Sequence, residues 1–347
     1  MLAVRWHARG DVRVEVVPPP PPPRPGEVQL RVSWCGICGT DLEEWQDGPL
    51  FIPVGAPHPV TGARAPLVLG HEFAGVVTAV GAGVTEPAAG QRAAVDTIVY
   101  CGTCHWCRRG EVIRCPSLGA LGLHADGGLA GLCNAPARMC LPVPDSVPDD
   151  DAALAEPLAV AVRALRRGRL QPGERVAIVG AGAVGLMALQ AAIAFGAESA
   201  VVIEPLPERR ALAMRLGADR QVPAGDAAAA AVDVAVECAG SPDAVETAVQ
   251  ALRAGGRAVV LGIGTRPVTV PPLDLVIGEK SIVGSLSHVW DEDFRIALGL
   301  LGRGAVQAAP LISDRIPLSA AVSGGLALLR DEPGKHVKIL VQPEDPG

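Results

Sequence analysis

The stretch Val176–Glu204 constrains the fold more than any other part of the chain. It begins with Val176–Val179, a short β-branched apolar run that is typical of a buried parallel strand. A glycine-rich fingerprint, G-x-G-x-x-G, follows directly and comprises Gly180, Gly182, Ala183, Val184 and Gly185. After a strand, this pattern predicts a tight turn, close approach of a pyrophosphate to the backbone, and close packing of a helix on the strand.

The residues after the fingerprint predict a helix and a second strand. Leu186, Leu189 and Ile193 repeat with the spacing of one apolar helix face, and Ala200–Ile203 is the next apolar run. Glu204 ends that run, at the position where a carboxylate accepts hydrogen bonds from an adenosine ribose. The stretch therefore predicts dinucleotide binding, against the alternative of a glycine-rich turn that binds nothing. Because a carboxylate repels a 2′-phosphate, NAD is favoured over NADP.

Length and composition predict two domains and exclude some partners. The chain has 347 residues, of which 49% are apolar, so each domain can bury a core. The net charge of −7 provides no electrostatic basis for binding nucleic acid or an anionic membrane. Neither a signal peptide nor a bilayer-spanning segment is evident, so we expect a cytoplasmic protein. In that compartment nine cysteines indicate metal binding or catalysis rather than disulfides.

A run of six prolines, Pro18–Pro23, interrupts an N-terminal region that alternates as strands do. We interpret the run as a stiff loop between two strands, with a polyproline ligand for a partner protein as the alternative. Near the other end of the chain, Gly334–Val341 predicts a closing strand. Lys335 and Lys338 are interpreted as the exposed face of that strand.

The pair Cys35 and Cys38 is either a redox pair or half of a zinc site when taken alone. His71 and Glu72 follow in a separate stretch. A thiolate, an imidazole and a carboxylate suit a zinc ion that keeps one coordination position open. Asp41 is a candidate for orienting His71 from behind the ligands. A buried structural cysteine and a hydrogen-bonded core histidine are the alternatives for single residues.

Four further cysteines form a compact C-x2-C-x2-C-x7-C pattern, made of Cys101, Cys104, Cys107 and Cys115. Four thiolates fill a tetrahedral zinc sphere, which predicts a closed structural site. An iron–sulfur cluster is the alternative, because ferredoxins also contain C-x2-C-x2-C and a Cys-Pro pair. The ferredoxin spacing to the fourth cysteine is shorter, so zinc is favoured.

Taken together, these motifs resemble the zinc-dependent medium-chain dehydrogenase/reductase family, which contains alcohol, polyol and threonine dehydrogenases. The motifs cover nearly the whole chain in the expected order: CGICGTD at 35–41, GHE at 70–72, the four-cysteine loop at 101–115, EPLAVAVRAL at 156–165, the fingerprint at 180–185, VDVAVECAG at 232–240 and EKSIVGS at 279–285. The insert LFIPVGAPHPVTGARAPLVLGHEF at 50–73 resembles the butanediol dehydrogenase branch most, with sorbitol-type enzymes behind it.

The resemblance implies an α/β chain of two domains. A GroES-like, mostly β catalytic domain is expected over residues 1–158, completed by about 292–347, and a Rossmann domain with a doubly wound parallel sheet over 159–291. The resemblance also implies a catalytic zinc held by Cys38, His71 and a glutamate. That glutamate is Glu72, or Glu156, or both in exchange with water. Cys35 is not a ligand in the family pattern.

The family pattern also implies roles for residues beside the zinc and the nucleotide. Thr40 is expected to contact the substrate oxygen. Glu43 stands where related enzymes often carry a proton-relaying histidine, so Glu43 or Glu156 is expected to take the proton onward, with a solvated Glu43 as the alternative. Arg209, five residues after Glu204, stands where a basic residue contacts the ribose, with a solvated helix start as the alternative.

The expected reaction is reversible oxidation of a secondary alcohol, such as the vicinal diol 2,3-butanediol, to a ketone such as acetoin, with hydride transfer to NAD. The first alternative is a polyol, sugar or cyclitol dehydrogenase, including one in specialised-metabolite biosynthesis. Threonine dehydrogenase, a non-catalytic nucleotide-binding protein and an iron–sulfur electron carrier are further alternatives. A homodimer or homotetramer is implied only by the resemblance.

Overall fold

A computed structural model describes residues 1–343, which divide into two compact units. Unit 1 contains Met1–Glu156, Val289–Leu298 and the chain from Ile312 onward. Unit 2 contains Pro157–His288 and Gly299–Leu311. The chain therefore leaves unit 1 twice and finishes there.

The strands and helices are short, and the longest of those described is the 13-residue helix α3. The strands are β1 Leu2–Ala8, β2 Asp11–Val16, β3 Glu27–Gly36, β4 Leu67–Val68, β5 Glu72–Val80, β6 Arg92–Val95, β7 Ile98–Val99, β8 Gly119–Ala120, β9 Leu132–Pro136, β10 Cys140–Pro142, β11 Arg175–Val179, β12 Ser199–Ile203, β13 Arg220–Gln221, β14 Val232–Glu237, β15 Leu252–Val260, β16 Ser281–Gly284, β17 Ile312–Pro317 and β18 Lys338–Gln342. The helices are α1 Gly39–Gln46, α2 Asp149–Ala152, α3 Ala155–Arg167, α4 Ala183–Ala194, α5 Pro207–Arg215, α6 Pro242–Gln250, α7 Pro272–Gly278, α8 Arg295–Gly302 and α9 Ala327–Asp331. Within the described residues, no helix has the length and apolar character needed to cross a membrane.

Unit 1 is built mainly from antiparallel strands. Its largest sheet runs β10-β6-β5-β3-β18-β17, and β9 also pairs with β3. Val28, Leu30 and Val32 on β3 are buried in alternation with less buried residues, as expected for a strand with one core-facing side. Two smaller sheets, β2-β1-β4 and β7-β8, complete the unit. Because β18 pairs with β3, the C-terminal strand lies inside a sheet formed mostly by the first third of the chain.

Unit 2 is a six-stranded parallel sheet in the order β13-β12-β11-β14-β15-β16. All residues of β14 are buried, including its two acids Asp233 and Glu237, as expected for a central strand of a parallel sheet. The order runs outward in both directions from β11 and β14, so the predicted doubly wound sheet is confirmed. The point where the order reverses lies between these two strands.

The local structure predicted for Val176–Glu204 is also confirmed. Strand β11, helix α4 and strand β12 follow one another across this stretch. Leu186 and Leu189 are fully buried, whereas Ile193, in the last turn of α4, is 41% exposed. Every residue from Gly185 to Ala192 is buried, because this helix is apolar on nearly all sides.

The proline run Pro18–Pro23 lies between β2 and β3, so its interpretation as a loop between strands is confirmed. The loop is attached to the sheet through Pro21. The carbonyl oxygen of Pro21 accepts a hydrogen bond from Asn134 Nδ2 at 2.8 Å. Asn134 lies on β9, which pairs with β3, the strand that follows the loop. The proline loop is therefore hydrogen-bonded to the sheet that it leads into.

Candidate active site and metal centres

A first cluster of metal-binding side chains lies where β3 ends and β5 begins, within unit 1. Cys38 is the N-cap of α1, and His71 directly precedes Glu72, the first residue of β5. Strands β3 and β5 are antiparallel neighbours, with Gly36 opposite Glu72. This pairing brings the ligand atoms of Cys38, His71 and Glu72 to within 4.8 Å of one another.

Two glycines leave the space that this cluster needs. Gly70 has a φ of +95°, and a Cβ atom there would lie 2.6 Å from Cys35 Sγ. A Cβ atom on Gly36 would lie 2.2 Å from Glu72 Oε2. Side chains at positions 36 and 70 would therefore displace neighbours of the cluster, and residue 70 would in addition be strained.

Asp41 lies beside His71, at the position expected for an orienting carboxylate. Its Oδ2 atom accepts a hydrogen bond from the Cys38 backbone N–H at 2.9 Å, and its Oδ1 atom is 3.7 Å from His71 Nδ1. Both Asp41 Oδ1 and His71 Nδ1 are buried without a hydrogen-bond partner in residues 1–343. Burial lowers the pKa of His71, but the Cys38 and Asp41 charges outweigh burial and raise that pKa well above its ordinary value.

Glu72 is paired with a lysine inside the unit. Lys338 Nζ donates to both carboxylate oxygens of Glu72, at 2.6 and 2.8 Å, and to the carbonyl of Ile37 at 3.0 Å. Both side chains are almost completely buried. Burial lowers the pKa of Lys338, but the Glu72 carboxylate outweighs it and raises the pKa. The interpretation of Lys338 as part of an exposed strand face is therefore wrong, because it neutralises a buried acid on another strand.

Glu156 begins the long helix α3 and is buried. Its charge helps to raise the pKa of both His71 and Lys338, after the larger effects named above. Glu156 therefore lies close enough to the first cluster to interact with it electrostatically. The first cluster thus has Glu156 as a further neighbouring carboxylate beside Glu72 and Asp41.

Thr40 and Glu43 are both half-buried on α1, the helix that Cys38 caps. They are three residues apart, which places them on neighbouring positions of the helix surface. Burial, and then the charges of Glu44 and Asp47, raise the pKa of Glu43. Helix α1 therefore carries a hydroxyl and a carboxyl on neighbouring positions, within the first two turns after Cys38.

A second cluster consists of four cysteines whose sulfur atoms lie within 4.8 Å of one another: Cys101, Cys104, Cys107 and Cys115. Backbone N–H groups point at these sulfurs, as in the contact from Cys104 N–H to Cys101 Sγ at 3.3 Å. Such N–H groups on Thr103 and Cys104 lower the pKa of Cys101 to about 6. Burial and the neighbouring thiols raise the pKa of Cys107 to about 12. The loop is thus prefolded around its sulfurs.

Both clusters fit zinc by their chemistry. The four-cysteine loop offers four sulfur donors and no other group, as closed structural zinc sites do. The first cluster offers one sulfur, one imidazole nitrogen and carboxylate oxygens, which is the mixed set of catalytic zinc sites. Burial and the Glu72 charge raise the pKa of Cys38, and a divalent cation is the charge that reverses such a shift.

The nucleotide fingerprint lies at the carboxyl end of β11. Gly180 has a φ of +91°, and a Cβ atom on Gly185 would lie 1.9 Å from the Gly180 carbonyl oxygen. These two glycines therefore serve the turn and the close packing of α4, as predicted. A Cβ atom on Gly182 would meet only Arg209 Nη1, at 3.7 Å, so this position is open. Ala183 and Val184 begin α4, which leaves their N–H groups directed at the open space.

Glu204 follows β12 and is buried beside this turn. Its Oε2 atom accepts the Ala181 N–H at 2.6 Å and its Oε1 atom accepts the Leu206 N–H at 2.9 Å. Arg209 is on α5, and burial lowers its pKa while Glu204 opposes that change. The structure therefore gathers every predicted nucleotide-binding residue of unit 2 around one turn. An open turn, free helix N–H groups and a nearby acid fit a dinucleotide.

The buried charges missed by sequence reasoning include Glu44, Glu237 and Lys338. Glu44 is fully buried and accepts backbone N–H groups from Leu50 and Ile52, each at 3.1 Å. In the sequence, Glu44 lies among other acids on an amphipathic helix, and this pattern is equally typical of a solvent-exposed face. Glu237 follows five residues of a buried strand, and this was the one available signal that a carboxylate there is buried.

Comparisons with known proteins agree with this geometry. The family model "Alcohol dehydrogenase GroES-like domain" matches residues 24–145, and the model "Zinc-binding dehydrogenase" matches residues 183–303. The (R,R)-butanediol dehydrogenase of Bacillus subtilis strain 168 is 35% identical over 99% of this chain and 100% of that protein. The chain belongs to the zinc-dependent medium-chain dehydrogenase/reductase family. The resemblance inferred from the motifs is therefore confirmed.

Other relatives and solved structures cover the same length. The sorbitol dehydrogenase of Gallus gallus is 33% identical over 98% of this chain and 96% of that protein. The crystal structure of 2R,3R-butanediol dehydrogenase from Bacillus subtilis has a TM-score of 0.91 and 34% identity, over 99% of each chain. An alcohol dehydrogenase from E. coli CFT073, solved with NADH, has a TM-score of 0.88 and 26% identity, over 99% of each chain.

Membership of this family confirms the predicted GroES-like and Rossmann architecture. It also makes this protein a zinc-dependent, NAD(P)-linked dehydrogenase that acts on alcohol groups of small molecules. The four-cysteine loop is accordingly a zinc candidate rather than an iron–sulfur one.

Proposed function

We propose that the protein interconverts a vicinal diol of the 2,3-butanediol type and its ketone, of the acetoin type, with NAD as the hydride acceptor. The observation that carries the proposal is the mixed cluster of Cys38, His71 and Glu72 in a chain that aligns end to end with butanediol dehydrogenases. A polyol dehydrogenase is the second candidate, since sorbitol dehydrogenases align over nearly the same length.

Cys38 and His71 would hold the catalytic zinc together with a glutamate. Both Glu72 oxygens accept hydrogen bonds from Lys338, and Glu156 lies close enough to His71 to raise its pKa, so Glu156 is proposed as the third ligand. When bound, zinc supplies a Lewis acid that polarises the substrate oxygen, and the nicotinamide supplies the hydride acceptor. Lys338 in turn keeps the Glu72 charge neutralised behind the ligands. Asp41 holds the Cys38 backbone by its N–H and faces the far side of the His71 ring.

Proton movement is assigned to α1. The Thr40 hydroxyl accepts the proton of the substrate alcohol and can donate its own hydrogen onward. Glu43 is on the adjacent position of the same helix and is half-buried, which raises its pKa and suits a group that exchanges protons. The hydroxyl and carboxyl of α1 therefore form a short route from the substrate oxygen toward water.

Selectivity for NAD over NADP is assigned to Glu204. Its carboxylate stands at the end of β12 beside the open turn, where it would accept hydrogen bonds from the ribose hydroxyls and repel a 2′-phosphate. Arg209 lies 3.7 Å from the Cβ position of Gly182 and would contact the same ribose or the pyrophosphate. Replacement of Glu204 by a neutral residue would reduce the preference for NAD over NADP.

We also propose a cytoplasmic homo-oligomer, a dimer or tetramer. Support comes from exposed apolar residues on α7 and on β16, the strand at one edge of the unit 2 sheet. Leu273, Val276 and Ile277 are 68%, 72% and 76% exposed, and Ile282 on β16 is 43% exposed. Such a patch beside an open strand edge is typical of a subunit contact. Light scattering of the wild type and of Ile277→Asp tests this: a smaller species is expected for the variant.

The function is tested by NAD-linked activity on 2,3-butanediol, acetoin, sorbitol and threonine, with zinc content measured on the same sample. We expect turnover of butanediol and acetoin, slower turnover of sorbitol, and about two zinc ions per chain, one for each cluster. Sorbitol as the best substrate would replace the diol assignment by the polyol one. Binding of NADH with no turnover of any alcohol or ketone would contradict catalysis altogether.

A further inference from the structure

Glu237 occupies the centre of the unit 2 sheet at its carboxyl edge. It is the last residue of β14, and β14 pairs with β11 at the point where the strand order reverses. In doubly wound sheets, ligands bind in the crevice outside the carboxyl ends of the strands at this reversal. Gly180 of the fingerprint follows β11 on the other side of the same crevice. The complete burial of a carboxylate at this place therefore needs a structural or functional explanation.

The Glu237 carboxylate accepts hydrogen bonds from backbone N–H groups of two loops. Its Oε1 atom accepts the N–H groups of Ala239 and Gly240, both at 2.7 Å, and its Oε2 atom accepts that of Gly262 at 3.3 Å. Ion pairs to this carboxylate are absent within residues 1–343. Burial raises the pKa of Glu237, and the three N–H donors oppose that rise. The carboxylate thus connects the loop after β14 with the loop after β15.

The two loops touch through their backbones. A Cβ atom on Gly262 would lie 2.1 Å from Gly240 N, and a Cβ atom on Gly264 would lie 2.2 Å from the Gly240 carbonyl oxygen. The loop after β14 also meets the fingerprint turn, because a Cβ atom on Gly180 would lie 3.0 Å from Ala239 Cβ. The carboxylate therefore joins two loops that line the crevice, and one of these loops packs against the fingerprint turn.

We propose that Glu237 is a positioning residue for the nicotinamide half of the dinucleotide, which it serves by holding the loops after β14 and β15 in one arrangement. The proposal rests on the nucleotide-binding part of the proposed function and is independent of the alcohol substrate. A dinucleotide lies across the reversal point, with one mononucleotide on each half of the sheet. The adenosine half belongs to β11 and β12, where Glu204 lies, so the loops that Glu237 joins serve the other half.

The test compares the binding of NADH and of AMP to the full-length protein, followed by calorimetry or NADH fluorescence. Glu237→Gln keeps the size of the side chain, but its NH2 group faces N–H donors that need an acceptor. We expect the Kd for NADH to rise about tenfold, as for the loss of one hydrogen bond to a charged group, and the Kd for AMP to stay within about twofold. AMP contacts only the half of the site that Glu237 does not position.

Asp233→Asn is the matched control. Asp233 is also a buried carboxylate on β14, but at the opposite end of the strand, where it accepts the Arg175 N–H at 2.9 Å. We expect Asp233→Asn to leave both dissociation constants unchanged, even if it lowers thermal stability. An equal loss of NADH and AMP binding in Glu237→Gln would show a merely structural role and overturn the proposal, as would unchanged binding of both.

A second variant covers the case in which Glu237→Gln does not fold. Gly262→Ala leaves the carboxylate in place and inserts a methyl group between the two loops, where it would also approach Glu237 Oε2 at 2.9 Å. We expect the same selective loss of NADH affinity. Retention of wild-type NADH affinity by Gly262→Ala would contradict the claim that the joined arrangement of the loops matters. Failure of the diol assignment in the activity assay would leave these binding results unaffected.

Discussion

The four-cysteine loop takes all its donors from one short segment, whereas the first cluster gathers Cys38, the N-cap of α1, with His71 and Glu72 at the start of β5. The loop is a local structure, with backbone N–H groups directed at its sulfurs. The first cluster depends on strand pairing between distant segments and is surrounded by further charged groups, Asp41, Lys338 and Glu156. A closed site needs only its ligands, while an open one also needs neighbours that orient the ligands and balance their charge.

Loss of a ligand in the first cluster, the open one of the two, tests this comparison most severely. In Cys38→Ser, we expect one of two zinc ions to be lost and turnover to fall by about a thousandfold, because a Lewis-acid metal supplies several kcal/mol to the transition state. Metal analysis and steady-state kinetics measure the two effects. Cys35→Ala is the control: Cys35 is buried beside the cluster but outside the ligand group, so both zinc ions and turnover should remain. Wild-type turnover in Cys38→Ser would refute the ligand assignment.

Removal of the Glu72 charge tests whether the open cluster needs its charge-balancing neighbours. Glu72→Gln leaves the Lys338 ammonium buried without its carboxylate, and we expect the free energy of unfolding to fall by about 3–5 kcal/mol. Denaturant titration measures the loss. The double variant Glu72→Gln with Lys338→Met removes both charges and should recover much of the stability. If the double variant were no more stable than the single one, the ion pair would not be the cause.

A ligand change in the four-cysteine loop should have a local effect. We expect Cys107→Ser to lose the other zinc ion and to expose the loop to trypsin, since Arg108, Arg109 and Arg114 lie inside it. Turnover per remaining zinc should stay close to that of the wild type. Limited proteolysis with metal analysis measures both results. Loss of the catalytic zinc in the same variant would mean that the two centres are coupled, contrary to the comparison drawn above.

The smallest expected effect is on the pH dependence of the free energy of unfolding, through a pair of histidines. His58 and His124 pack edge to face, with ring centroids 4.7 Å apart, and burial lowers the pKa of His124 to about 4. An unfolded histidine titrates near about 6.5, so the unfolded chain binds the extra proton between pH 6.5 and 4. Stability should therefore fall as the pH decreases through this window.

His124→Gln should reduce the slope of the unfolding free energy against pH, by an amount that corresponds to up to about one bound proton. Urea unfolding at several pH values measures this slope. His105→Gln serves as the control, because His105 is exposed in the four-cysteine loop. An unchanged slope in His124→Gln would assign the acid sensitivity to other groups, the carboxylates of the open cluster among them.

The sequence was sufficient wherever function and local structure use the same residues. The fingerprint glycines, Glu204 and the four cysteines are close in sequence to their partners, so spacing alone predicted their arrangement. Cys38 and His71 were recognisable through motifs, although only the pairing of β3 with β5 brings them together. The structure was needed for charges whose partners are remote.

Lys338 shows why such charges escape a sequence-based prediction. Alternation along a closing strand assigns a lysine to the exposed face, and nothing nearby in the sequence indicates a carboxylate partner. Glu72 lies 266 residues earlier and meets Lys338 only inside the folded unit. Glu44 and Glu237 escaped for a related reason, since their partners are backbone N–H groups of loops, and these carry no residue-type signal.

The position of β18 has a consequence for how the protein is made. During synthesis, the ribosome releases Glu72 and the strands that flank it long before it releases Lys338. Until β18 emerges, the nascent unit 1 lacks an interior strand, and Glu72 lacks its cation. Unit 2 is continuous apart from one short return and can fold before translation ends. Completion of unit 1 therefore waits for β18, and a chain truncated before β18 would contain unit 2 without a complete first cluster.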